Sequence, residues 1–554
     1  MRLLFLLIFC ISLVGAHGQT ESDAIAQKNS ELRLLRARAV KGDPDAQTKL
    51  GIKYSYGDGI PQNEAEASIW FRKAALQGNP LAQHELGVLY TLGRGVSKDY
   101  DEAFKWLRMS ADQDHPDGMT ALGLAYSFGR GTVKNDYEAG KWFSKGAEKG
   151  NALAQFNWST HLLNGFGVPK DEVEGMKWSR KAAEQGRADA QYNMGVAYRD
   201  GLGGTVVDNA ESAKWFHMSA QQGVAEAQVA LGTYYETGEG VTQDWAESVK
   251  WYRMAAVQNH AEGQFLLGRA YTYGAGIARD EPEGVKWFRK AIAQEHARAM
   301  YDLALMYRSG RGVVKNNEEA LKLLQLSAQK GYHQAEAFMG SLYLSGDSVP
   351  KDENLGLEYL NKAIAKDSAE AKYFLGTAHE EGLGIPKDKS KAFDYYKQSA
   401  EQGYYAARVI LGERYSRGDG VSQDHTESVK WYRLAAEQGN DEAQFQLAKS
   451  YRLGIGVEKD DVEAGKWNLK AANQNHGVAQ YRLGLMYAVG EGVPKDFMQA
   501  YKWLLLARKN EEKDPQLGMA AVNLALSDVE KSLTGEQIAE AQKLSREFRT
   551  GRVK

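Results

Sequence analysis

The chain reads as all-α, an α/α superhelical solenoid of about 13 helix-turn-helix repeats of 36 residues with capping helices at its ends. Three observations predict this. Glycines one residue apart recur at a near-constant spacing, an Asp or Asn follows every pair at a fixed distance, and an aromatic residue, usually Trp, stands seven residues further on. At 554 residues the chain is too long for one ordinary core, and a stack of small units resolves that length without several separate domains.

The glycine pairs stand at 57/59, 93/95, 129/131, 165/167, 201/203, 238/240, 274/276, 310/312, 382/384, 418/420, 454/456 and 490/492, with Gly346/Ser348 as the one departure. A single pair ahead of a helix could cradle a phosphate. A dozen copies cannot all be phosphate loops, so the pair is structural. The period is 36 residues, apart from one 37-residue unit with an extra residue near Gly203-Gly204.

The first helix of a unit is typified by Ala82 to Tyr90, in which Ala82, Leu86 and Tyr90 make one apolar stripe and Gly87 allows a neighbouring helix to approach. The glycine after it ends the helix in the left-handed conformation. The Asp or Asn that follows, such as Asn63, Asp99 or Asp244, caps the second helix. Glu or Gln three residues later, such as Glu66 or Glu102, suggests a capping box. Leu355 and Lys391 break that box, so their helices are expected to fray. Ten tryptophans in register, from Trp70 to Trp503, and alanines such as Ala74-Ala75 complete the second helix as a packed spine.

Both ends look modified to close the stack. Residues 31 to 41 mimic the end of a second helix, with Leu34 in the Trp slot and Gly42 in the closing glycine slot. Near the other end Thr534 and Gln537 form a capping box ahead of a stripe of Ile538, Ala541 and Leu544. The expected organisation is a signal peptide over 1–18, a linker and capping helix over 19–44, thirteen repeats over 45–512, and capping helices with a frayed tail over 513–554.

The signal reading rests on Arg2, the apolar run Leu3 to Val14 and the small residues Gly15 and Ala16. Cleavage after Ala16 removes Cys10, the only cysteine, so neither disulfides nor a thiol nucleophile are expected in the mature chain. No later apolar run reaches the length of a membrane span. With 69 basic against 72 acidic residues there is no broad field for nucleic acid.

The combination Ala-Gln, Leu-Gly-x-x-Tyr, Gly-x-Gly-Val, the Asp cap and Trp-x-x-Lys-Ala-Ala, as in residues 82 to 106, resembles the Sel1-like repeat family, relatives of the tetratricopeptide repeats. The resemblance covers roughly residues 31 to 545. It implies an adaptor whose first helices line a concave side, and, with the signal, an exported bacterial protein of the periplasm or exterior acting in envelope assembly, regulation or host interaction. Cysteine-rich members bind or slowly hydrolyse β-lactams, which leaves a weak hydrolase as the alternative.

Once packing positions are set aside, the variable face of the first helices falls at positions 49, 52 and 56 and their equivalents. It carries Tyr56, Leu92 and Phe128, then the polar Asn157, Asn164, Asn193 and Asp200, then Tyr273, and in three successive units Phe338, Phe374 and Ile410, ending near Glu381, Glu413 and Arg417. Clustered exposed aromatics are the usual anchors of a protein interface. These residues are expected to hold a protein or peptide partner on a monomer, with no cofactor and no metal.

Chemistry-bearing motifs are thin. His115, His260, His296 and His476 share one connector, which reads as a loop preference, and zinc between His260 and His296 would need ligands the chain does not announce. Ser327-x-x-Lys330 falls in repeat positions. An acid-base pair such as Glu413 with Arg417 is what an enzyme reading would need.

Overall fold

The stretch Asn79-Pro80-Leu81-Ala82 shows how a first helix starts. Asn79 is extended and its side chain accepts from the Ala82 amide at 2.9 Å, while Pro80 supplies a helical φ where no amide is needed. The helix Pro80–Leu92 ends at Gly93, whose φ of 71° is left-handed. Gly95 is constrained twice. Its φ is 67°, and a β-carbon there would lie 2.0 Å from the carbonyl oxygen of Glu64 in the preceding unit. The turn delivers Asp99, whose side chain accepts from the amides of Asp101 and Glu102, and the second helix Tyr100–Ala111 follows.

This computed structural model describes residues 27–510 and 518–549, and every regular element among them is helical. The proposed signal segment, Cys10 and the tail Gly551–Lys554 lie outside the described residues. The described residues fall into two compact units divided between Lys290 and Ala291. The first holds the helix pairs that begin at Pro44, Pro80, Pro116, Ala152, Ala188, Ala225 and Ala261. The second holds those beginning at Ala297, His333, Ala369, Tyr405, Asp441 and Gly477, then the capping helices Met519–Glu530 and Gly535–Arg549. Each unit is a solenoid of stacked pairs, and together they contain the thirteen repeats.

Within each unit a first helix packs on its own second helix, which packs on the next first helix. Neighbouring first helices also touch, whereas neighbouring second helices approach one another less closely. The extra residue of the 37-residue unit is absorbed by a single 3-10 turn, Leu202–Gly204. Ser348 holds the left-handed φ of the missing glycine at 66°, so the departure at Gly346/Ser348 keeps the turn.

The tryptophan register holds: Trp106, Trp142, Trp215, Trp251, Trp431, Trp467 and Trp503 are buried. The lysine of Trp-x-x-Lys lies over the indole, as Lys181 does over Trp178 at 3.7 Å and Lys470 over Trp467 at 3.7 Å. The deepest anchor, however, is the residue after the tryptophan. Phe71, Phe143, Phe216 and Phe288 are fully buried, each contributing about 2–3 kcal/mol, and each sits against the glycine in the Leu-Gly slot of its own first helix, Met194-Gly195 for Phe216.

The Ala-Gln motif builds a buried amide ladder. Gln83 Nε2 donates to the Ala75 carbonyl at 3.1 Å, and its Oε1 accepts from Gln113 at 2.7 Å, so a fully buried amide joins consecutive repeats without loss. At one rung an ion pair between Lys366 and Glu336, 2.6 Å, replaces the amides.

Two expectations need correction. Leu34 is 64% exposed, and the first core cluster is instead covered by Leu32 and Leu35, because the helix over residues 27–40 turns the side that carries them and Ala39 towards Ala46 and Leu50. The capping box of the second helices does not close. The cap amide donates to the carbonyl of the preceding first helix, as Asn63 does to Tyr54 and Asp352 to Tyr343, while the third-position glutamate pairs with a lysine, as Glu247 does with Lys250. Leu355 and Lys391 therefore break nothing: Asp352 and Asp388 cap their amides at 3.0 and 2.9 Å. A true box forms at Thr534 and Gln537, where both reciprocal bonds are present.

Candidate functional site

Tyr56, Leu92, Phe128 and Tyr273 each occupy the last position of a first helix, just before its closing glycine, and are 74%, 55%, 62% and 58% exposed. No single cleft gathers them. Leu92 lines a small apolar hollow of about 140 Å³ with Phe104, Leu107, Leu124 and Arg130. The Arg130 guanidinium lies 4.9 Å above the Phe128 ring, so that ring is partly covered. Tyr273 borders a second hollow with Trp245, Tyr252 and Arg269. Trp245 is 41% exposed and stands outside the tryptophan register, at the start of the second helix Trp245–Val257.

The other cluster is built differently. The helices His333–Ser345 and Ala369–Glu381 approach each other most intimately among first helices, and Ala337 explains why. It stands where the neighbouring units carry Tyr301 and Tyr373, and its small side chain lets the backbones close. Phe338 and Phe374 then line one cleft of about 530 Å³ together with Arg308, Asp347, Thr377 and Glu381. Arg308 lies 5.0 Å over the Phe338 ring and donates to Asp347 at 2.8 Å. The Ser348 hydroxyl and Arg308 hold the Asp347 carboxyl below the usual carboxylate range.

Of the three residues in register, Ile410 is not part of this cleft. It packs partly into the cluster of Tyr396 and Leu411. Arg417 donates to Glu413 at 2.7 Å on the same helix, an exposed pair one turn apart, so each of the two groups an acid-base reading would use is occupied by the other. Glu381 remains on the rim of the cleft, exposed.

Aromatic residues that the stripe omitted extend the cleft. Tyr301 meets Phe338 at 6.3 Å and Tyr332 at 5.5 Å, and Tyr373 meets Phe374 at 5.4 Å and Tyr404 at 5.2 Å. Glu370, half-buried beside them, is pushed up to about 7 by burial. Tyr332 and Tyr404 occupy cap positions of first helices without making a side-chain cap bond, a signal that was readable from a bulky aromatic in a slot otherwise rich in Asn, Asp and His.

The four connector histidines are caps, which corrects the loop reading. Nδ1 of His115, His260, His296 and His476 accepts from the amide three residues on, at 3.3, 3.2, 3.2 and 3.1 Å. An imidazole used this way has its Nδ1 lone pair engaged and turned towards the backbone. Among the described residues no group of three or more His, Cys, Asp or Glu could hold a metal ion. Ser327 donates to the Ala297 carbonyl at 2.7 Å and Lys330 pairs with Glu295, so the Ser-x-x-Lys match is structural. No helix is long and apolar enough to cross a membrane among the described residues.

The Sel1 repeat matches the chain in thirteen consecutive segments, the first at residues 44–79 and the last at 477–511. A solved protein described as a protective antigen present in uropathogenic Escherichia coli strains, displaying an SLR fold, is 31% identical over 87% of this chain and 94% of its own, with a TM-score of 0.46. A Sel1 repeat protein from Oxalobacter formigenes is 32% identical over 44% of this chain and 96% of its own, with a TM-score of 0.40. An immunity protein from Pseudomonas aeruginosa is 24% identical over 38% of this chain and 81% of its own, with a TM-score of 0.31. No curated protein matches the chain.

Proposed function

The chain belongs to the Sel1 repeat family, and from that premise we propose that it is an exported interaction scaffold that holds an extended peptide segment of a partner protein on the face of its first helices. The repeat architecture is consistent with scaffolding between proteins. The finer reading, a peptide groove, rests on one observation: the cleft in which Phe338 and Phe374 stand side by side with Arg308 over one ring. Partly covered aromatics flanked by an arginine are the residue types that dominate binding energy at protein interfaces. Tyr56, Leu92, Phe128 and Tyr273 are further exposed anchors, at the ends of first helices in the other unit.

The test is a display library of extended peptides panned against the full chain and counter-screened on the triple variant Phe338→Ser, Phe374→Ser, Ile410→Ser. Peptides that bind the parent and lose at least tenfold on the variant, at unchanged helical content, are the expected result. Equal binding to both proteins would remove this cluster from the reading. Export places the segment 1–18 under a separate test, since the mature chain is expected to begin at His17 when its terminus is read by mass spectrometry.

A further inference from the structure

We propose that the carboxylate of Glu370, faced by Tyr301, Tyr332 and Tyr404, receives a lysine or arginine side chain of the bound segment, whose next residue but one places an apolar side chain between Phe338 and Phe374. This rests on reading the same cleft as a peptide groove.

Three observations carry it. Glu370 makes no hydrogen bond and no ion pair among the described residues, and the two lysines closest to it in sequence are turned to other carboxylates. Lys366 is engaged with Glu336 at 2.6 Å and Lys372 with Asp367 at 2.5 Å, so neither answers the half-buried carboxylate. A charge held this way favours a desolvated cation.

The second observation concerns the tyrosines. Nine first helices are capped by a side chain of Asp, Asn, Ser or His; four are not, and two of these four, beginning at His333 and Tyr405, carry Tyr332 and Tyr404 at the cap. The Glu370 charge helps raise the hydroxyls of Tyr301, Tyr332 and Tyr404 alike, and Tyr301 in turn meets Tyr332 at 5.5 Å. Aromatic faces beside a carboxylate are the surroundings in which an ammonium or guanidinium group is held.

The third is register. Glu370 and Phe374 are one helical turn apart, about 6 Å along the axis. Alternate side chains of an extended peptide point the same way about 6.6 Å apart. The ring of Tyr301 touches both Tyr332 and Phe338, so the carboxylate site and the apolar cleft share a wall. The matching partner is a basic-x-apolar segment in extended form.

Burial raises Glu370 to about 7, and a bound cation favours its ionised form. The ionisable groups facing it are Tyr301, Tyr332 and Tyr404, all raised by burial, with Arg298 and Asp302 beside Tyr332. Cation binding is therefore expected to strengthen roughly tenfold between pH 6 and pH 8.

The experiment measures anisotropy of fluorescein-labelled heptapeptides on the full chain, Gly-Ser-Lys-Ser-Phe-Ser-Gly against the same peptide with Glu in place of Lys. The Lys peptide is expected to bind at least tenfold tighter, and Glu370→Gln to cut that preference below threefold and flatten its pH dependence, with Glu370→Ala as a second variant. A preference that survives both variants, or no preference in the parent, overturns the proposal while leaving Phe338-dependent binding intact. Loss of binding by both peptides in Phe338→Ser, Phe374→Ser supports the groove itself. Absence of Phe338-dependent binding for any peptide would overturn both readings together.

Discussion

The Asp99 amide donates to the Tyr90 carbonyl at 3.0 Å, closing the glycine turn between the two helices of one repeat. The same bond recurs from cap to tyrosine through most repeats, as Asp244 to Tyr235 and Asp460 to Tyr451. Because this carbonyl takes the cap amide, Glu102 is free to pair with Lys105 at 2.7 Å instead of closing a box. The two acidic positions of the motif therefore differ in worth. Asp99→Ala is expected to cost about 1 kcal/mol of local stability, since the amides of Asp101 and Glu102 lose their acceptor. Glu102→Gln should change it by less than about 0.5 kcal/mol, as an exposed pair does. Hydrogen exchange at those two amides separates the cases: it accelerates in the first variant and stays unchanged in the second.

Gly195 and Phe216 make the tightest of the contacts between a first-helix glycine and an aromatic ring of its second helix. A β-carbon at Gly195 would stand 2.5 Å from the phenyl ring, which is fully buried and cannot swing away. Gly195→Ala is expected to destabilise this pair by about 1–3 kcal/mol through overpacking. The chain contains its own remedy: the equivalent positions of a later repeat hold Ala304 against Leu324, both buried. Gly195→Ala combined with Phe216→Leu should recover part of the loss, measured as the urea midpoint of the protein. A double variant no better than the single one would show that the ring is not what the glycine makes room for.

Much of this fold was legible because thirteen copies cancel their own noise. The helix pairs, the left-handed glycines, the Asp and Asn caps and the tryptophan register were all visible as positions that do not vary. What escaped was set by contacts between helices, which no single helix pattern displays. The deep seat of Phe216, the glutamine ladder from Gln83 to Gln113 and the use of cap amides on tyrosine carbonyls depend on how one helix meets the next. At the candidate site, Phe338 and Phe374 were legible as the same slot in adjacent repeats. Glu370 was not, because its slot also holds Asp45, Asp117 and Glu262, and in the sequence it looks like an ordinary acidic residue of a first turn. Only burial and the engagement of Lys366 and Lys372 elsewhere set it apart.

His84 stacks on His115 with ring centroids 5.9 Å apart, and burial depresses His84 to about 4 and lowers His115 as well. A histidine whose folded value lies below its unfolded value near 6.5 binds fewer protons when folded. Its contribution is thus fully present above pH 6.5 and is lost as pH falls towards 4. Between pH 7 and pH 5 the loss is expected to reach about 1–2 kcal/mol. Protonating His115 would also remove Nδ1 as the acceptor for the Gly118 amide. His84→Thr copies Thr48 and Thr120, whose hydroxyls donate to the carbonyl four residues back. It should flatten that dependence, read as amide exchange over Pro80–Leu92 and Pro116–Phe128 at the two pH values.

Glu370 has the opposite sign. Burial raises its carboxyl from the ordinary value of 4.5 to about 7, so the folded chain holds a proton that the unfolded chain has released. Its contribution is complete below pH 4.5 and is lost as pH rises through 7. Above that, the protein carries an open carboxylate among tyrosines at a cost of about 1–2 kcal/mol, reduced from the full burial cost by its partial exposure. Glu370→Gln keeps the shape and removes the charge. It should therefore leave amide exchange in the helix Ala369–Glu381 unchanged at pH 4.5 and slow it at pH 8. A variant less protected than the parent at pH 8 would mean that the ionised carboxylate stabilises the helix through a contact of its own, and the site would then be structural. Slower exchange together with lost preference for a basic peptide is the pattern of a residue kept for recognition at the expense of stability.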